Sequence, residues 1–269
     1  MKEPIQFYKM VASGNDFIVI DNRTKMIQDA KKFGANMCLP HIGVGADGVL
    51  LIEPSKKSDF FLRIVNADGS EAEACGNGYR CVARYAHEKL GFGRKMTFDT
   101  LAGMIQAEVR GKYVSVLMAE PRDYRRDVRL EVNGRTLKMD FINTGVPHAV
   151  IYSEGLNQIP VTELGRAIRY HEHFKPQGTN VNFIELNGSS EIRIRTYERG
   201  VEEEMLACGT GSVAAALTSA LTCRAVSPVN VKTRSGETLE VSFELANGKP
   251  TKVFLNGNAD YVYEGHLLM

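Results

Sequence analysis

The sequence predicts an α/β protein of the α+β kind. It should have two pseudo-symmetric homologous domains, each a curved mixed or antiparallel sheet wrapped around a central helix. Three observations carry this. Strand-like runs outnumber helical ones and mostly follow one another directly, which disfavours a doubly wound parallel sheet. Four landmarks of the first half recur in the second at a single offset: 148 − 15, 180 − 47, 208 − 75 and 236 − 103 all equal 133, for Asn15/His148, Asp47/Asn180, Cys75/Cys208 and Gly103/Gly236. Finally, Ser212 to Leu221 is apolar nearly all round, the pattern of a helix buried inside a sheet.

Taken in order, residues 5–10 and 17–21 read as strands around Ala12-Ser13-Gly14-Asn15-Asp16, whose small and Asx residues mark a tight turn. A short helix over 28–39 is stopped by Pro40. The glycine-rich loop Ile42 to Gly48 precedes a strand at Val49 to Ile52. Phe60 to Val65 is a strand entering a polar loop that reaches Cys75, and Tyr79 to Leu90 is a helix ending at Gly91. Strands at 96–101, 104–110 and 113–118 complete the half. Glu120 to Arg129, with Arg122, Arg125, Arg126 and Arg129, reads as a solvated linker.

In the second half Phe141 to Val150 echoes Phe7 to Phe17, a helix is expected at about 161–172, and Gly178 to Glu185 echoes Gly45 to Ile52. The strand Ile192 to Tyr197 then leads to Cys208 as Phe60 to Val65 leads to Cys75. The predicted domains are 1–119 with about 258–269, carrying Cys75, and 120–257, carrying Cys208.

Composition excludes several classes. A formal net charge of +1 over 269 residues argues against nucleic acid or a membrane surface as partner. No run approaches a membrane span and no secretory signal is evident, so a cytoplasmic location with reduced thiols is expected for the five cysteines. Cys38, Cys81 and Cys223 sit in apolar helical contexts and read as packed small hydrophobes.

Cys75 and Cys208 differ from these because each opens an Ala-Cys-Gly-x-Gly segment ahead of a helix. Unpaired N–H groups and the positive end of the helix dipole lower a thiol pKa there and make the thiol reactive. Gly76-Asn77-Gly78 and Gly209-Thr210-Gly211 are small enough for a carboxylate to approach those N–H groups. If the halves face each other, one thiolate takes a Cα proton while the other thiol donates to the opposite face, which inverts the carbon. No pyridoxal-phosphate lysine signature and no metal-ligand spacing is present, so no cofactor and no metal are expected. Asn15 is matched with His148 and Asn66 with Glu198, so His148 and Glu198 are candidate groups for setting the thiols' protonation.

The segments Asn66-Ala67-Asp68-Gly69-Ser70-Glu71 to Cys75-Gly76-Asn77-Gly78 with Arg80, and Tyr197-Glu198-Arg199-Gly200 to Cys208-Gly209-Thr210-Gly211, resemble the two signatures of the diaminopimelate epimerases. Gly14-Asn15-Asp16-Phe17 and Pro147-His148 fit as well, and the resemblance runs from about residue 5 to 265. It implies a diaminopimelate epimerase-like fold and a cofactor-independent epimerase interconverting LL- and meso-diaminopimelate in lysine and peptidoglycan biosynthesis. Cys75 and Cys208 would be its base and acid, and Gly76, Asn77, Gly209 and Thr210 would hold the reacting carboxylate. Asn15, Asn66, Asn180, Glu198 and Arg199 would bind the rest of the substrate, and a homodimer is suggested by the family alone.

Two positions depart from the family pattern. Val146 stands where many members have asparagine, with Asn143 or Asn182 as candidate substitutes, and the Glu198–Cys208 loop spans ten positions rather than nine. The alternatives are a proline or hydroxyproline racemase with the same two thiols, a non-thiol isomerase on the same fold, and a redox module. The last has no Cys-x-x-Cys to support it.

Overall fold

The computed structural model describes residues 4–268. The chain divides into two compact units: one runs to Val116 and resumes at Gly257, and the other is Leu117–Asn256.

The first unit contains β1 (Ile5–Ala12), β2 (Asn15–Asp21), α1 (Ala30–Met37), β3 (Gly48–Glu53), β4 (Phe60–Asn66), β5 (Glu71–Ala72), α2 (Gly76–Leu90), β6 (Lys95–Thr100), β7 (Gly103–Arg110) and β8 (Tyr113–Leu117). The second contains β9 (Arg122–Val132), β10 (Arg135–Asn143), β11 (Pro147–Tyr152), α3 (Val161–Arg169), β12 (Asn180–Asn187), β13 (Glu191–Glu198), β14 (Glu203–Met205), α4 (Gly209–Leu221), β15 (Val229–Lys232), β16 (Thr238–Ala246) and β17 (Lys249–Asn258). The closing strand β18 (Asp260–Leu267) returns to the first unit.

The pairing order shows the duplication directly. In the first unit it is β18–β1–β2–β3–β4–β6–β7–β8, and in the second β9–β10–β11–β12–β13–β15–β16–β17. Each ladder is antiparallel except at two joints: β2–β3 and β4–β6 in one, β11–β12 and β13–β15 in the other. Parallel neighbours require a crossover connection, and the four helices supply them. α1 and α3 cross between the first parallel pair of each unit, α2 and α4 between the second.

This arrangement corrects the reading of Glu120 to Arg129. Most of that stretch lies in β9, antiparallel to β10, where β9 holds the place that β18 holds beside β1. Only Leu130 and Val132 of β9 are buried, so the period-2 signal is missing over its charged part. Arg125 is not simply solvated, because its guanidinium lies 5.1 Å from the centre of the Phe141 ring.

The helices are placed by burial. α4 buries Val213 to Ala220 without a polar face, in a cluster with Ile142, Val150, Ile184, Val231, Val241 and Leu255. Its alanines favour helix intrinsically, and Thr218 satisfies its hydroxyl on the carbonyl of Ala214 at 2.9 Å. The opposite face of the same strands packs Ala149, Ile151, Val181 and Phe183 against α3. That packing is close enough that a Cβ on Gly165 would lie 2.4 Å from Tyr197. In the first unit, α2 buries Tyr79 to Ala83, Tyr85 and Ala86, and Gly91 closes it in the left-handed conformation. The helix expected at 161–172 ends at Arg169 and is followed by a 3-10 turn, Glu172–Phe174.

Among the described residues, no helix is long and apolar enough to cross a membrane. Cys38 and Cys81 are buried as expected. Cys223 is exposed instead, just past the end of α4 with φ at 58°, because the buried apolar period ends at Ala220.

Candidate active site

α2 starts at Gly76 and α4 at Gly209, three residues earlier than the apolar pattern indicates, and in each the residue before is a cysteine acting as N-cap. Cys75 has an extended backbone (φ −153°, ψ 103°), and its Sγ accepts the N–H of Gly78 at 3.4 Å. Cys208 does the same (φ −130°, ψ 113°), accepting from Gly211 at 3.4 Å. The thiol thus takes the place a serine or aspartate oxygen usually fills. The third N–H of each helix is engaged by sulfur, while the first two, on Gly76–Asn77 and Gly209–Thr210, have no intrahelical acceptor. Neither first turn carries an acidic side chain to neutralise the helix dipole. Each unit therefore presents a thiol beside an anion-receptive pair of N–H groups.

The thiols have different neighbours. Cys75 is half-buried, and its Sγ lies 3.8 Å from Oδ1 of Asn15. Asn15 in turn donates to Asp47 at 2.6 Å, and Asp47 accepts the backbone N–H of Asp16 at 3.1 Å. Cys208 is buried, with Oγ1 of Thr210 3.4 Å from its Sγ. Asp47 served only as a repeat landmark in the sequence. Its place in the glycine-rich loop after α1 was the signal that it turns back toward Asn15.

The asparagines sort by exposure. Asn66 is exposed at the end of β4 and donates to Ser70 at 3.0 Å. Asn77 is buried, with Oδ1 accepting from Arg80 at 2.9 Å, so its side chain is committed to the protein. Asn180 is buried; it accepts the backbone N–H of Arg199 at 2.8 Å and donates to the carbonyl of Pro147 at 3.0 Å, which leaves one amide hydrogen. Arg199 also donates to the carbonyl of Gln177 at 3.1 Å. Asn182 cannot replace the amide absent at Val146. It is fully buried, donating to His148 and Ala149 and accepting from Thr196. Oδ1 of Asn143 accepts the N–H of Gly145 within the β10–β11 turn.

Two sequence correspondences change. Gly48 lies beside Phe17 and Asn66, whereas Val181, its counterpart at the 133 offset, lies beside Ala149 and Tyr197. The offsets of the flanking strands are therefore 149 − 17 = 132 and 197 − 66 = 131. Pro147, not His148, holds the place of Asn15, and Tyr197, not Glu198, that of Asn66. Unequal turns between the strands absorb the difference, and a comparison by constant offset misses it.

His148 is fully buried on β11. Burial, helped by the charge of Arg199, pushes its imidazole down to about 3. Glu198 ends β13, and burial pushes its carboxyl up to about 7. The longer loop leaves Glu198 on its strand. The turn is made at Glu202, which has φ at 63° and donates its N–H to the carbonyl of Glu198 at 2.8 Å. The acidic run within this loop, Glu202-Glu203-Glu204, is anchored too: Glu202 meets Arg169 at 3.1 Å and Glu204 meets Arg195 at 2.7 Å.

The sequence profile of the family described as diaminopimelate epimerase matches residues 7–123 and 141–262, which takes in both thiol loops. The chain belongs to the diaminopimelate epimerase family. A diaminopimelate epimerase of Aquifex aeolicus is 45% identical over 98% of each chain, and one of Hydrogenobaculum is 44% identical over 96% of this chain and 97% of its own. Among solved structures, a hydroxyproline epimerase from Agrobacterium vitis shares the fold, with a TM-score of 0.73 at 15% identity over 99% of this chain and 93% of its own. This family member thus has the two-repeat fold that the sequence predicts, an assignment the hydroxyproline epimerase supports at the level of fold alone.

Proposed function

We infer that this protein interconverts LL-2,6-diaminopimelate and meso-diaminopimelate without a cofactor, as an isomerase supplying lysine and peptidoglycan precursors in the cytoplasm. Family membership supports the reaction. The observation that carries the mechanism is the matched pair of cysteine N-caps, each with its sulfur on the N–H three residues on.

In this reading one thiolate removes the Cα proton, becoming a thiol. The electron pair left on carbon is spread into the adjacent carboxylate, which the N–H groups of Gly76–Asn77 and Gly209–Thr210 receive. Such preorganised donors stabilise charge as it develops. The second thiol then gives its proton to the opposite face, becoming the thiolate for the reverse direction. Asn15, Asn66, Asn180, Glu198 and Arg199 hold the distal amino-carboxylate end, with Arg199 suited to a bidentate grip. His148 enters as a neutral group that orders its surroundings, because its depressed titration removes it as a source of charge at neutral pH. Glu198 titrates near neutrality and so is the group able to tune a thiol.

The test is deuterium incorporation from solvent at Cα of LL-diaminopimelate under reducing conditions, with L-proline in parallel. The expected result is exchange with inversion of diaminopimelate alone, abolished in Cys75→Ala and in Cys208→Ala. Exchange of proline instead would overturn the substrate, and survival of epimerisation in either variant would overturn the two-thiol mechanism.

A further inference from the structure

The two helix starts match up to the capping thiol and differ in what supports them from beneath. In the second unit Thr144, which follows the last residue of β10 and is buried, donates its hydroxyl to the carbonyl of Thr210 at 3.1 Å. Ser13 follows the last residue of β1 in the same way, but reaches its helix through a guanidinium. Nη2 of Arg80 donates to Oγ of Ser13 at 2.7 Å and to Oδ1 of Asn77 at 2.9 Å. Nη1 donates to the carbonyl of Gly76 at 3.3 Å, and Nε to that of Asn258 at 3.3 Å. The whole side chain is 0% exposed.

The residue 133 positions on, 213 − 80, is Val213, packed in the apolar cluster around α4. Stability alone favours the valine. A guanidinium folded back against the first turn opposes the helix dipole, and a buried charge is costly unless fully hydrogen-bonded. The second unit demonstrates that the fold can begin this helix without a cation. An arginine kept at the other start therefore calls for a role in what the start does.

We propose that Arg80 is a positioning residue for the Cys75 half of the reaction, its fork fixing Gly76 and Asn77 and its charge making that helix start the more anion-attracting of the two. This rests on the reading of Cys75 and Cys208 as the acid/base pair. One donor set locks both residues whose N–H groups are to receive the carboxylate, and it ties them to the turn that carries Asn15, the neighbour of Cys75.

Iodoacetate and iodoacetamide alkylate the same thiol, one carrying a negative charge and the other none, so the ratio of their rates reads local potential rather than access. In the wild type this ratio is expected to be higher at Cys75 than at Cys208, measured by mass spectrometry on peptides from one sample. In Arg80→Met it should fall several-fold at Cys75 and hold at Cys208. Arg80→Lys should restore the ratio by its charge, yet leave kcat for diaminopimelate depressed by something of the order of a hundredfold, since the fork is lost. An unchanged ratio in Arg80→Met, or equal changes at both cysteines, overturns the proposal, and full kcat in Arg80→Lys overturns the part played by the fork. If Arg80→Met does not fold, Arg80→Gln takes its place under the same criteria. The alkylation uses no diaminopimelate, so wild-type inactivity on that substrate with the Cys75 contrast intact would overturn the substrate assignment and leave Arg80 its role.

Discussion

Asn182 donates from its side-chain amide to Nδ1 of His148 at 3.1 Å, inside the core of the second unit. Its other amide hydrogen goes to the carbonyl of Ala149, so the imidazole nitrogen must act as acceptor and the ring proton lies on Nε2. Nε2 is buried with no hydrogen-bond partner among the described residues. A cationic ring would place a second buried N–H in conflict with the Asn182 amide, in agreement with the depressed titration near 3. His148 is therefore neutral throughout the range in which an enzyme of this kind works. His148→Asn is expected to lower kcat while leaving both limbs of the pH dependence of kcat/KM in place. A limb displaced in that variant would show that the imidazole titrates during catalysis.

Glu198 behaves in the opposite sense, and the pair gives stability a characteristic pH profile. Between pH 4.5 and about 7 the native Glu198 keeps a proton that the unfolded chain has released, so stability falls as pH rises through that window. Between about pH 3 and 6.5 the unfolded His148 binds a proton that the native one refuses, so stability rises with pH there. The slopes oppose each other from pH 4.5 to 6.5, giving a plateau with losses on either side. Glu198→Gln should remove the upper loss, gaining roughly 3 kcal/mol on the wild type between pH 4 and pH 8. Urea unfolding at pH 4, 5.5 and 8 measures it, and parallel wild-type and variant curves would refute it.

The duplication, both thiol loops and the buried α4 were legible because each is written locally: a repeated Ala-Cys-Gly-x-Gly, an unbroken apolar helix, a constant offset. What was not legible depends on pairing across distance. β9 carries no apolar alternation over Arg122 to Arg126, and its structural counterpart is β18 at the far end of the chain, so an offset of 133 does not find it. The place of Asn15 was assigned one residue off because the β1–β2 and β10–β11 turns differ in length: Ala12 faces Asn15, while Asn143 faces Pro147. That of Asn66 was missed because the β3–β4 connection is longer than the β12–β13 one: Glu53 faces Phe61, while Leu186 faces Ile192. His148 was read as a candidate for setting the thiols' protonation, and the burial that makes it neutral has no sequence signature.

Glycine at the third helical position is needed more strictly in one unit than the other. A Cβ on Gly211 would lie 2.4 Å from Oδ1 of Asn182, a fully buried amide fixed by Thr196, His148 and Ala149, and 3.3 Å from Sγ of Cys208. A Cβ on Gly78 meets the end of Leu50 at 3.1 Å, a side-chain tip able to shift. Gly211→Ala is expected to destabilise by about 1–3 kcal/mol, in the range for overpacking, and to lose most activity. Gly78→Ala should cost less on both counts. Equal melting temperatures for the two variants would contradict the asymmetry.

Thr144 gives the complementary prediction to Arg80, because it serves the Cys208 start by a single direct bond. Its hydroxyl is buried and bonds the carbonyl of Thr210, whose own hydroxyl lies 3.4 Å from the Cys208 sulfur. Thr144→Val keeps the volume and removes the donor, so the carbonyl of Thr210, which still accepts within α4, loses its second bond at a cost of about 0.5–1.5 kcal/mol. Thr144→Ser keeps the donor and loses only a methyl group. The expected order of kcat is wild type, then Thr144→Ser, then Thr144→Val. The alkylation rate of Cys208 should change in the valine variant while that of Cys75 does not. If serine and valine prove equally damaging, packing rather than the hydrogen bond supports this helix start. The contrast between a hydroxyl beneath one thiol and a guanidinium beneath the other would then lose half of its meaning.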